Sequence, residues 1–242
     1  MVYPLDALVM KKMQNLCNDH RFASKGQVFF RLHADTILQA ISFRYERTFS
    51  HYSLNIGLMS LYSEAENSLF SARSALPHFS ICCLENRSSA VSLDREHEFV
   101  SFSVRSPEEQ LCLLEKCGFE WLDGVVTQEH LLCAMNFLDN VSYKTIIWNN
   151  EFKLAPFLAI GDYYSADLVI ASILDQQLGP CSFSPPPWNK DDYLYYSTHF
   201  PNKNEDLLHL HKLIANKNKE AINTYLEENY QKNAERLHFL RR

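Results

Sequence analysis

Between Gln27 and Tyr62 apolar and polar residues alternate through three successive runs, and this alternation constrains the fold more than anything else in the 242 residues. The runs are Gln27 to His33, Thr36 to Arg47 and Tyr52 to Tyr62, all rich in aromatic, β-branched and aliphatic residues. In the second, Ile37, Ile41, Phe43 and Tyr45 share one face and Ser42, Arg44 and Glu46 the other. In the third, Tyr52, Leu54, Ile56 and Leu58 lie opposite Ser53, Asn55 and Gly57. A period of two marks half-buried strands. Connections as short as Ala34-Asp35 and Thr48 to His51 join only antiparallel neighbours, so a three-stranded meander is expected. Gln39 breaks the pattern by sharing the face of Ile37 and Ile41, where a buried amide needs partners.

Ahead of the meander, Leu5, Leu8, Val9, Met13, Leu16 and Cys17 recur at helical spacing, with Pro4 suited to the first turn. This amphipathic helix ends before Arg21-Phe22, the chain turns through Ser24-Lys25-Gly26, and the apolar stripe is expected to cover the sheet. Ser63 to Ser74 is polar and weakly patterned and suits a loop or a short irregular helix. Strands resume at His78 to Leu84 and Glu98 to Arg105, which makes about five. Ser106-Pro107-Glu108-Glu109 has the hydroxyl, proline and glutamate of a capping box. The helix it opens is expected to run to Cys117, with Gly118 at a left-handed end.

From Thr127 the chain is helical: Thr127 to Leu138, then a pair at Glu151 to Ile160 and Ser165 to Leu178 around Gly161-Asp162. A second pair spans Glu205 to Ala215 and Lys219 to Asn229, around Asn216-Lys217-Asn218. The first turn has the flavour of tetratricopeptide repeats, yet two hairpins fall short of the three that a solenoid needs, so ordinary helical packing is expected. Between them, residues 179–204 carry Ser184-Pro-Pro-Pro-Trp188 and the aromatics Tyr193, Tyr195 and Tyr196. This is a packed loop or a linker, the aromatic density favouring packing, with a partner-docking segment as the functional alternative. The expected class is α+β: an N-terminal helix on an antiparallel sheet of about five strands over residues 1–125, then a mainly helical region over 126–242, whether or not it forms a separate domain.

Seven cysteines, an odd number without paired spacing, point to free thiols and a reducing cytoplasm. An N-terminus with Asp6 among few apolar residues does not suit a signal peptide, and no run approaches the length of a membrane span. A formal net charge of −6 disfavours nucleic acid and weakly favours basic partners. The eight Lys or Arg against six Asp or Glu from Pro201 onward suit a solvated helix face better than a phosphate track.

Few residues here carry recognisable chemistry. His209 and His211 are two apart and diverge on a helix. His130 and Cys133 share a face but lack further ligands, so no metal is expected. There is no Gly-x-Ser-x-Gly, Cys82-Cys83 lie in an apolar run, and six unclustered glycines supply no phosphate cradle, so no cofactor is expected. Of the polar groups on the meander (Arg31, Gln39, Arg44, Arg47 and Asn55), Arg31, Gln39 and Asn55 form the candidate ligand-binding cluster, Gln39 and Arg44 pointing to opposite faces. Strand pairing or helix-to-sheet hydrogen bonding is the structural alternative.

The run Phe22-x-x-Lys25-Gly26-x-x-Phe29-x-Arg31, then Asp35-x-Ile37-x-Gln39-x-Ile41-x-Phe43 and Ser53-Leu54-Asn55-Ile56-Gly57, resembles the bacterial DUF4304 family, a domain of unknown function. Leu114-Glu-Lys-Cys-Gly118-Phe-Glu-Trp121-Leu122 looks like the helix that follows its sheet. The resemblance covers roughly residues 21–122 and implies no activity. With catalysis unsupported, the expected function is a non-catalytic cytosolic interaction module, of immunity or antitoxin type in one version. It would act through a sheet surface or through Trp188, Tyr193, Tyr195 and Tyr196. The alternative is a small-ligand protein or enzyme with a polar pocket on the sheet.

Overall fold

The computed structural model describes residues 5–46, 51–63, 78–80, 105–141, 146–178 and 205–240. Helix α1, Ala7–Asp19, is capped by Asp6, whose Oδ1 accepts from Leu8 N at 2.7 Å. The opening turn expected around Pro4 lies outside the described residues. Val9, Met13 and Cys17, four apart, form the buried stripe. Leu8, expected on that stripe, is 74% exposed instead, because the stripe is narrower than the sequence suggested. At the other end Arg21 takes φ 63°, and Arg21 N and Phe22 N donate to the carbonyls of Asn18 and Cys17 at 2.9 Å. That pair of bonds is a Schellman closure, and it drops Phe22 into the core.

Three long antiparallel strands follow, β2 (Val28–His33), β3 (Ile37–Glu46) and β4 (His51–Ser60), paired in chain order. A three-residue strand flanks them at each edge, β1 (Ala23–Lys25) and β5 (His78–Ser80). The meander is therefore as expected. Ala23–Lys25, read from the sequence as part of a turn, is itself paired, with Gly26 at φ 63° turning it into β2. Of the two later strands expected, His78 to Leu84 is represented by β5, and Glu98 to Arg105, apart from Arg105 itself, lies outside the described residues.

Ser106 closes the expected capping box, its Oγ accepting from Glu109 N while Ser106 N donates to the Glu109 carboxylate. Helix α2 (Pro107–Leu113) does not stop at Gly118. Gly118 is right-handed, with φ −66° and ψ −44°, and the chain runs through a π-helical stretch (Leu114–Gly118) into α3 (Phe119–Asp123). Buried Phe119, Trp121 and Leu122 supply the apolar continuation that outweighs a glycine's preference to terminate. Helix α4 (Gln128–Val141) is capped by Thr127, which accepts from His130 N at 3.2 Å.

Two helical hairpins complete the described fold: α5 (Ile146–Ile160) with α6 (Tyr163–Leu178), and α7 (Glu205–Ala215) with α8 (Lys219–Leu240). The last helix passes the expected end at Asn229 by three turns. It packs back on α5, whereas the units of a solenoid touch only their neighbours, so the two hairpins do not form a repeat array.

Both faces of the sheet are covered, contrary to the half-buried reading. On one, Phe29, Ile37, Ile41, Phe43, Leu54, Ile56 and Leu58 pack with α1, α2, α3 and α4. On the other, Phe30, Leu38, Ala40 and Met59 meet Leu237 of α8, with Phe152 of α5 and Tyr230 against them. A third core lies among α5, α6, α7 and the first half of α8, through Leu158, Ala166, Ile170, Leu210, Ile222 and Leu226. Helix α8 thus contributes to two cores. Serine, glycine and asparagine on one side of β4 looked solvent-facing in sequence, yet Ser53 to Ser60 are all buried.

Candidate functional site

Arg31 on β2 stands directly opposite Gln39 on β3, so the pleat puts both side chains on one face. Arg31 Nε donates to Gln39 Oε1 at 2.8 Å, Nη1 to the His20 carbonyl at 3.1 Å, and Nη2 pairs with the Asp123 carboxylate. The guanidinium also lies 4.6 Å from the centroid of Phe22. Gln39 is fully buried, and its Nε2 donates to the Leu122 carbonyl at 2.7 Å. His33 Nε2 is 3.3 Å from the Asp123 carbonyl, and the His20 ring stacks on Phe119 at 3.6 Å. These contacts tie the meander to the end of α1 and the end of α3.

The chemistry of such an arrangement is that of a clamp. All three nitrogens of Arg31 are engaged, its charge is matched by Asp123, and both ends of the Gln39 amide are satisfied, which leaves no fork aimed at a ligand. Cys17 sits in the core behind it. Burial pushes its thiol up to about 12, the Arg31 charge pulling the other way. So placed, the thiol is protonated and inert as a nucleophile at neutral pH.

Asn55 does not join the cluster. It pairs with Ser42, and Gln39 with Leu58, so Asn55 faces the opposite side of the sheet from Arg31 and Gln39. There its Oδ1 accepts from Ser53 Oγ at 3.3 Å. The expected ligand cluster of Arg31, Gln39 and Asn55 is accordingly split between two faces. Arg47, Trp188, Tyr193, Tyr195 and Tyr196 lie outside the described residues, as do Cys82 and Cys83.

Three further polar groups are buried beside apolar cores. Gln110 of α2 accepts from Leu54 N at 2.6 Å and donates to the carbonyls of Tyr52 and Arg105 at 2.8 and 3.0 Å, filling the edge of β4 ahead of its pairing with β5. His211 Nδ1 lies 2.6 Å from Asp167 Oδ1 and joins α7 to α6, while His209 is exposed, so the two histidines diverge as their spacing implies. Asn233 of α8 caps the end of β4. Among the described residues no three His, Cys, Asp or Glu side chains are grouped to hold a metal ion.

Asp123, His20 and Asp167 went unnoticed in the sequence. Asp123 is 92 residues from Arg31 and carries no local signal; only the unexplained polarity of Gln39 marked the spot. No family model, curated protein or solved structure matches the chain. No described helix is long and apolar enough to cross a membrane.

Proposed function

We propose that the chain is a non-catalytic protein-interaction module of the bacterial cytoplasm, working through the outer surface of its helical half. The observation that carries this reading is a pair of exposed large side chains one turn apart on α6, Tyr164 at 63% and Leu168 at 38%. Exposed aromatic and aliphatic groups held on a rigid helix are the usual anchors of interfaces. The sheet is a poor candidate for the contact because helices cover both of its faces. A net charge of −6 favours a basic partner, in keeping with an immunity-type protein that masks a basic toxin. Trp188, Tyr193, Tyr195 and Tyr196 are proposed as further contact residues on the sequence alone, and kinship with DUF4304 is part of the same proposal. The alternative of a ligand pocket at Arg31 and Gln39 is disfavoured by their internal pairing.

The test compares the native chain with a Tyr164→Ser, Leu168→Ser double variant as bait under gentle conditions. The variant should keep its melting temperature and lose the proteins that the native chain retains. Equal capture by both, or a metabolite that raises the melting temperature of the native chain but not of Arg31→Lys, would overturn the proposal.

A further inference from the structure

The seam where α8 crosses the end of β4 carries an imbalance of hydrogen bonds. Asn233, 1% exposed, donates from Nδ2 to the carbonyls of Leu61 and Ser63, both at 2.8 Å. Exchanging its oxygen and nitrogen would lose both bonds, so the orientation of the amide is determined. Its Oδ1 is then left without a donor. One turn back on the same face, Nδ2 of Asn229, 5% exposed, has no acceptor, and Oγ of Ser63, 3% exposed, is also unpaired. Of seven such buried atoms among the described residues, three belong to this one turn of α8 and to Ser63, whose carbonyl Asn233 holds. Tyr62, next to Ser63 in the chain, and Tyr230, next to Asn229, pack with ring centroids 5.8 Å apart.

Natural proteins rarely leave one buried polar atom unpaired, and three in one place call for a common partner. The set is neutral and mixed: one donor, one acceptor, and one hydroxyl able to act as either. An anion would face the Asn233 oxygen, and a metal ion would find no carboxylate and would meet the Asn229 N–H group. A water molecule suits all three, accepting from Asn229 Nδ2 and donating to Asn233 Oδ1 and Ser63 Oγ, the usual complement for a buried water. We propose that one structural water occupies this seam and completes the attachment of α8 to the sheet.

A high-resolution crystal structure of the full chain should place a density peak within hydrogen-bond distance of Asn229 Nδ2, Asn233 Oδ1 and Ser63 Oγ. In solution, the Asn229 side-chain amide should show a cross-peak to water with the sign of a long-lived bound molecule. Asn229→Leu, which fills the space with carbon, should abolish the corresponding cross-peak at Asn233, whereas Asn223→Ala on the exposed face should leave it. A protein group bonded directly to Asn229 Nδ2, or the absence of any such cross-peak in the native chain, would overturn the proposal.

Discussion

Gln39 makes two hydrogen bonds, to Arg31 Nε and to the Leu122 carbonyl, and its loss would strand both partners. Gln39→Met keeps the volume and removes only the polarity, so its cost isolates the hydrogen bonds. Denaturant titration should show a loss of about 2–3 kcal/mol, the penalty for leaving buried partners unpaired. Cys17 gives a prediction in pH. Its thiol is held up to about 12, against 9.0 for an unperturbed group, so above about pH 9 the unfolded chain releases a proton that the folded chain retains. Stability then falls as pH rises through this window, by about 1.4 kcal/mol per unit from this group. Unfolding measured from pH 8 to pH 11 should show a steeper decline for the native chain than for Cys17→Ala. The residue scale is also where the sequence was least legible. Gln39 announced itself through the alternation, and Arg31 follows once the register is known. Asp123 and Leu122 arrive from distant chain, and Asn55 was misplaced because its face depends on the pairing of β3 with β4.

The two helical hairpins turn by the same device. After α5, Gly161 at φ 80° lets Asp162 N donate to the Phe157 carbonyl, and Asp162 Oδ1 then accepts from Ser165 N to cap α6. After α7, Lys217 at φ 54° lets Asn218 N donate to the Leu213 carbonyl, and Asn218 Oδ1 accepts from Ala221 N to cap α8. One residue ends a helix and begins the next in both cases. Replacing Asp162 or Asn218 with alanine should cost about 1 kcal/mol each in thermal unfolding. Arg21 and Lys217 occupy the left-handed position where glycine is unstrained, so Arg21→Gly and Lys217→Gly should each stabilise by about 0.5–1 kcal/mol. Elements of this kind were readable, since caps, turns and periodicity are local: the capping box at Ser106, the cap at Thr127, the meander and both hairpins were all expected. The continuation through Gly118, implied by the family resemblance, was not readable from the local signals, because buried contacts from Phe119 and Trp121 decide it. Nor was the covering of the second sheet face, because small and polar residues there look solvent-facing until a helix from far along the chain is laid over them.

At the scale of the molecule α8 is shared, with Ile222 and Leu226 in the helical core and Leu237 against the sheet. Leu237→Ala should therefore cost about 2–4 kcal/mol. It should shift the fluorescence of Trp121, which reports the sheet side, and the far-ultraviolet dichroism of the helices by the same amount in urea. Separate midpoints for the two signals would mean that α8 does not couple the two cores. The same sharing sets an order of events during synthesis. Leu61 and Asn233 are 172 residues apart, which at ribosomal rates of 5–20 residues per second is roughly 10 to 30 s. For that interval the meander has emerged while Phe30, Leu38 and Met59 still lack Leu237, so the nascent chain carries an apolar sheet face that a holding chaperone would recognise and that release of α8 would conceal.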